Sequence, residues 1–128
     1  MAERPGPRKK VLIIDDDADL AAALGAGLSQ DGIEVRACHY GEQGIPDAQA
    51  FLPDLIILDV LMPGIHGIHV LSELRRIPAL EKTRIFVISG MRDREIEEQV
   101  IRYGAEFVHK SGEPLAIVAK AKRCLGVL

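Results

Sequence analysis

Five short apolar runs punctuate the chain, and the stretches between them carry apolar residues at helical spacing. The runs are "VLIID" at 11–15, "IEVRAC" at 33–38, "LIIL" at 55–58, "RIFVIS" at 84–89 and "AEFVHK" at 105–110. Runs this short, rich in β-branched residues and bounded by turn formers, predict strands. The first intervening stretch, "ADLAAALGAGLSQDG", is rich in Ala and Leu and stops at Gly32, the pattern of a helix with a glycine end. Asp17 and Asp19 sit where a cap and an N-terminal charge would serve that helix. Helices are also predicted over 41–51, 67–77, 93–104 and 113–128. Pro46 falls inside the second, so that helix is expected to start late or kink, because an internal proline removes a donor and clashes with the preceding turn. Pro114 falls in the first turn of the last helix, where proline is tolerated.

Strict alternation of five strands with five helices predicts an α/β fold with a parallel sheet and helices on both faces. Right-handed crossovers make a doubly wound topology the natural solution. The unbroken apolar runs at 11–14, 55–58 and 85–88 suit central strands buried on both faces, and the more polar runs at 33–38 and 105–110 suit edges. The strand order 2-1-3-4-5, flavodoxin-like, follows.

Composition narrows the function classes. The 128 residues suffice for one domain, with 48% apolar and 27% charged residues and a net charge of −3. That charge disfavours direct nucleic-acid binding, and the basic triplet at 8–10 is too short to argue otherwise. No apolar run approaches the roughly 20 residues that span a bilayer, so no membrane partner is expected. The opening "MAERPGPRKK" lacks the apolar core of a signal peptide. Residues 1–9 are expected to form a disordered leader, and 10–128 a single domain. Cys38 and Cys124 lack metal-ligand spacing and suit a reduced, cytoplasmic protein.

The chemistry lies at the carboxyl ends of the predicted strands, the edge where open α/β sheets place their sites. Strand one ends in Asp15-Asp16-Asp17, strand three in Asp59, strand four in Ser89-Gly90 and strand five in Lys110. Crowded carboxylates repel, and a hard divalent cation such as Mg²⁺ resolves the repulsion. Lysine and serine beside them suit a phosphoryl group. An aspartate can then act as nucleophile and form an acyl phosphate. The break at Met62-Pro63-Gly64, just after Asp59, would turn the chain around such a pocket and leave the carboxylate accessible.

The motifs "VLIIDDD" at 11–17, "PDLIILDVLMPGIHG" at 53–67, "VISG" at 87–90 and "HK" at 109–110 together resemble the receiver domain of bacterial two-component response regulators, over residues 9–126. The resemblance implies that Asp59 is the phosphoacceptor. It implies a Mg²⁺ set of Asp15, Asp16 and Asp59, completed by the backbone carbonyl of Leu61. Ser89 stands at the position of the switching Thr or Ser, Lys110 would pair with the phosphoryl group, and Phe107 stands at the position of an aromatic that swings inward on activation. Leu61 and Met91 lie two residues after the phosphoacceptor and the switching serine, flanking the path of a hydrolytic water. The implied partners are a sensor histidine kinase or phosphotransfer protein, and an output protein bound through the fourth helix, fifth strand and fifth helix. That surface carries Glu95, Glu97 and Glu98 on one helix and Lys120, Lys122 and Arg123 on the other, charges that can pair within one chain or across a homodimer. Such a domain is a switch rather than an enzyme, catalysing only its own phosphorylation and dephosphorylation. One departure stands out: Ser111 replaces the usual proline after the lysine.

Two other readings compete. A metal-dependent phosphohydrolase of haloacid dehalogenase type would use Asp15-x-Asp17 as its acid pair, but leaves Asp59 unexplained. A receiver that takes no phosphate would act only as a docking module.

Overall fold

The structure is a computed structural model that describes residues 8–60, 67–110 and 113–127. Its strands are β1 (Lys10–Ile14), β2 (Glu34–Cys38), β3 (Leu55–Asp59), β4 (Arg84–Ser89) and β5 (Glu106–His109). Its helices are α1 (Ala18–Ser29), α2 (Gly41–Phe51), α3 (Gly67–Arg75), α4 (Arg94–Arg102) and α5 (Pro114–Leu125), with a short 3-10 turn over Pro78–Leu80. All strand pairings are parallel, in the order β2-β1-β3-β4-β5. The predicted order, with 33–38 and 105–110 at the edges, is the observed one.

Side-chain alternation splits the core into two layers, as period-2 geometry requires. Val11, Ile13, Leu55, Ile57, Phe86 and Ile88 pack with α1 and α5, through Leu24, Leu28, Ile117 and Ala121. Leu12, Ile14, Ile56, Leu58, Ile85 and Val87 pack on the other face with Ala48, Val70, Leu71, Leu74 and Val100. Val11–Ile14 of β1 and Leu55–Leu58 of β3 are therefore apolar without a break because both faces are covered.

The helix boundaries have local causes. Asp17 caps α1, its carboxylate accepting from the Leu20 N–H at 3.0 Å. The helix ends at Ser29, a turn earlier than its glycine suggests, and the chain passes Gly32 with φ 77° into β2. Asp93 caps α4 by accepting from Glu95 and Ile96. Gly126 closes α5 in the left-handed conformation that glycine adopts without penalty. The expectation of a late start for α2 fails: the helix begins at Gly41 with Pro46 inside it. Pro46 leaves only the Glu42 carbonyl without its intrahelical donor, and both residues are exposed, so water can satisfy it.

The expected leader lies outside the described residues except for Arg8 and Lys9. Among the described residues, no helix is long and apolar enough to cross a membrane.

Candidate functional site

Register brings the predicted residues to one edge of the sheet. Ile14 pairs with Leu58, so Asp15 and Asp59 leave adjacent strands at the same level and with the same facing parity. Asp59 pairs with Ile88, which places Ser89 one step beyond it, and Ser89 in turn pairs with His109. Asp15 is fully buried, Asp59 and Ser89 nearly so, and Asp16 is exposed. Carboxylate oxygens of Asp15, Asp16 and Asp59 all lie within 4.8 Å of one another. The Lys110 ammonium stands 3.4 Å from Asp15 Oδ2 and 3.5 Å from Asp59 Oδ2.

That arrangement is electrostatically unbalanced. One ammonium faces three carboxylates, two of them removed from water. Asp15 Oδ1 accepts from the Asp17 N–H at 2.9 Å, but Asp15 Oδ2 is buried with no hydrogen-bond partner beyond its ion pair with Lys110. A buried carboxylate oxygen without hydrogen bonds is costly. An all-oxygen, triply anionic cluster with an orphaned oxygen fits a hard divalent cation. Leu61, whose carbonyl was expected to complete the metal set, lies outside the described residues, as do the 62–64 turn and the Lys110–Ser111 bond.

The backbone that carries the acids is held firmly. The Asp15 N–H donates to the Cys38 carbonyl at 2.9 Å, and the His39 ring nitrogen Nδ1 lies 3.0 Å from the Asp15 carbonyl. The oxygen is only an acceptor, so Nδ1 carries the proton. Gly67 returns the chain to β3 so closely that an added Cβ would lie 2.5 Å from Val60 Cα and 2.6 Å from the Asp59 carbonyl. Burial pushes the Cys38 thiol pKa upward, and its S–H donates to the Tyr40 carbonyl at 3.1 Å. The predicted switch aromatic, Phe107, is half-buried against the α4-side core, with the Arg92 guanidinium 5.8 Å from its ring centre.

A family model described as the response regulator receiver domain matches residues 11–122. The chain belongs to that family. Among curated proteins, the receiver resembles the alkaline phosphatase synthesis transcriptional regulatory protein PhoP of Bacillus subtilis (strain 168), with 30% identity over 119 residues, covering 91% of this chain and 48% of the relative. It is 29% identical over 116 residues to the DNA-binding response regulator MtrA of Mycobacterium tuberculosis (strain H37Rv), covering 90% of this chain and 50% of that one. The chain thus spans about half the length of these relatives. The solved chemotaxis response regulator CheY4 of Vibrio cholerae superposes with TM-score 0.83 at 25% identity, covering 95% of this chain and all of its own. A CheY-like receiver domain protein from Methanospirillum hungatei JF-1 shares the fold, with TM-score 0.86 at 21% identity, covering 94% of this chain and 95% of that one.

Receiver domains are signalling switches rather than conventional enzymes, and the phosphohydrolase reading finds no support. Its acid pair is not assembled: Asp17 spends its carboxylate on capping α1, and the cluster is completed by Asp16 and Asp59 instead. Sequence reasoning missed two histidines that tie strand ends together, His39 and His109. Each looks like an unremarkable loop or edge residue, and only strand register shows what it reaches.

Proposed function

We propose that this receiver accepts a phosphoryl group on Asp59 from a phosphohistidine of a sensor histidine kinase or phosphotransfer protein. The observation that carries this is the Lys110 ammonium shared between the nearly buried Asp59 and the buried Asp15, with Asp16 completing a triad of carboxylates. Asp15, Asp16 and Asp59 would hold Mg²⁺, with Leu61 supplying its carbonyl. When bound, the ion neutralises charge on the transferring group. An Asp59 carboxylate oxygen attacks phosphorus, the P–N bond breaks, and its electron pair returns to the donor imidazole, which then takes up a proton. Lys110 pairs with the phosphoryl oxygens, a point charge already positioned at the acceptor. The Ser89 hydroxyl donates to a phosphoryl oxygen and reports the modification, which adds about −1.5 to −2 charge at pH 7.

The β4–α4 loop, α4, β5 and α5 form the surface that transmits the change to an output partner in the cytoplasm. Three ion pairs on or beside this surface lie within the chain: Arg92 with Glu97 at 3.1 Å, Lys120 with Glu106 at 2.6 Å, and Lys122 with Asp31. Glu97, Lys120 and Lys122 are thus engaged within the chain, each by a partner other than the opposite helix.

The test is acetyl phosphate with Mg²⁺, followed by intact mass and peptide mapping. One phosphoryl group on Asp59 is expected. It should be absent from Asp59→Asn and from Asp16→Asn, both folded, since Asp16 is exposed and caps nothing described. Normal labelling of Asp59→Asn would show another acceptor, and normal labelling of Asp16→Asn would remove that residue from the metal set.

A further inference from the structure

The peptide unit between Gly90 and Met91 is held from both sides. Its N–H, that of Met91, donates to Ser89 Oγ at 3.1 Å. Its carbonyl, that of Gly90, lies 3.1 Å from His109 Nε2. A carbonyl oxygen only accepts, so Nε2 carries the proton and donates it. His109 can reach because Ser89 and His109 are register partners on adjacent strands, and the Lys110 N–H fixes the Ser89 carbonyl at 2.7 Å. Parity along β5 also puts His109 on the same face as Phe107, the face that packs toward α4.

Among the described residues, no other hydrogen bond to this peptide is seen. Gly90 is exposed, a Cβ placed there would meet no atom within 4 Å, and Met91 is 62% exposed. The peptide thus lies at the surface, with open space beside Gly90. Rotating the Gly90–Met91 unit would break the His109 bond and free Ser89 Oγ together.

We propose that His109 is a positioning residue for the Ser89 hydroxyl: through the Gly90–Met91 peptide it holds that hydroxyl in the setting of the unphosphorylated domain. The proposal rests on Ser89 reading the phosphoryl group at Asp59. A contact made in the unphosphorylated arrangement stabilises that arrangement against any in which the loop has rotated. Loss of one such bond at a partly exposed site shifts the two-state equilibrium about 3–10-fold toward the rotated form.

The experiment follows the Gly90 and Met91 amide resonances by ¹H–¹⁵N NMR, with and without acetyl phosphate and Mg²⁺. In unphosphorylated His109→Ala these resonances should move part-way toward their positions in the phosphorylated wild type. His109→Gln, which keeps an amide N–H near the Nε2 position, should restore them. In a Ser89→Ala background, His109→Ala should move the Met91 amide little, because the hydroxyl it positions is gone. Phosphorylation of Asp59 by acetyl phosphate serves as the separate check. If the wild type takes no phosphoryl group, the functional reading and this one fall together. If it is phosphorylated normally but His109→Ala leaves the resonances in place, moves them away from the phosphorylated positions, or moves them equally without Ser89, only the role of His109 is overturned.

Discussion

Replacing Gly67 by alanine should damage the fold out of proportion to the one methyl group it adds. A Cβ at residue 67 would sit 2.5 Å from Val60 Cα, 2.6 Å from the Asp59 carbonyl oxygen and 2.8 Å from the Val60 carbonyl oxygen. All three are main-chain atoms, so no side chain can rotate away. The Gly67 N–H also donates to the Val60 carbonyl at 3.1 Å, which fixes the approach. The start of α3 must therefore back off the end of β3, at a cost of about 1–3 kcal/mol for an overpacked contact. Alanine's helical advantage of at most ~1 kcal/mol is reduced at the first helical position and does not offset this. For a domain of this size the melting temperature should fall by roughly 4–12 °C. Two other glycines calibrate the argument. At Gly44 the added Cβ would lie 2.6 Å from Ile14 Cδ1, the mobile end of a side chain, and the loss should be smaller. At Gly25, inside α1, the nearest atom is Val35 Cγ1 at 3.6 Å, and alanine should stabilise by about 0.5–1 kcal/mol. Urea and thermal unfolding of the three variants should rank them Gly25→Ala above wild type, then Gly44→Ala, then Gly67→Ala. A Gly67→Ala domain as stable as wild type would refute the close-approach account of this turn.

Other outcomes follow from single side chains. Arg75→Ala should cost about 2–3 kcal/mol in urea unfolding, because a half-buried guanidinium bonded to carbonyls is lost; Arg75→Lys should recover less than half, since one ammonium cannot span them. The Cys38 thiol has its pKa raised, mainly by burial, so folding favours its neutral form. That contribution is complete below the thiol's ordinary pKa and is lost as pH rises through the raised one, so Cys38→Ala should lose less stability than wild type in alkaline titrations. The phosphorylated domain should be long-lived, because Leu61 and Met91 are apolar and give a hydrolytic water no partner. Decay in excess Mg²⁺ should be about tenfold faster in Leu61→Asn, Met91→Glu, equivalent to about 1.4 kcal/mol of barrier; equal decay would remove both side chains from the explanation.

The fold was legible because periodicity and burial coincide. Leu55, Ile56, Ile57 and Leu58 are apolar without alternation only because both faces of β3 are covered, and that pattern alone orders the central strands. The acids were legible because strand ends share an edge in any parallel sheet, so Asp15 and Asp59 meet whatever the loops do. Helix ends were less so: α1 stops at Ser29 although "SQDG" continues plausibly to Gly32, and α2 tolerates Pro46 where exposure lets water replace a donor. Interactions that need strand register were not legible at all. Nothing in "FVHK" marks His109 as the partner of Gly90, and nothing in "SELRRIP" separates Arg75 from Arg76. Yet Arg75 bonds four carbonyls, while Arg76 makes a surface pair with Glu73.

The two edges of the sheet are built for opposite purposes. At the edge away from the acids, Arg75 donates to the carbonyls of Leu80, Thr83, Tyr103 and Gly104, tying α3 to the segments that enter β4 and β5. Thr83 Oγ1 donates to the Pro53 carbonyl, and the Lys10 N–H donates to Asp54 while Asp54 N–H donates back to Lys10. Most of these bonds join parts of the chain some 28 to 44 residues apart, and the Thr83–Pro53 bond is buried. At the acid edge, the switch loop hangs on contacts among Ser89, Met91, Gly90 and His109, most of them within three residues or on one exposed rim. A phosphoryl group of about −2 charge can supply hydrogen bonds worth more than one or two such contacts. It cannot supply enough to disturb the opposite edge. If Asp59 takes the phosphoryl group as proposed, the charge change would be converted into loop movement against a fixed sheet rather than into unfolding, which is the division of rigidity that a reversible switch needs.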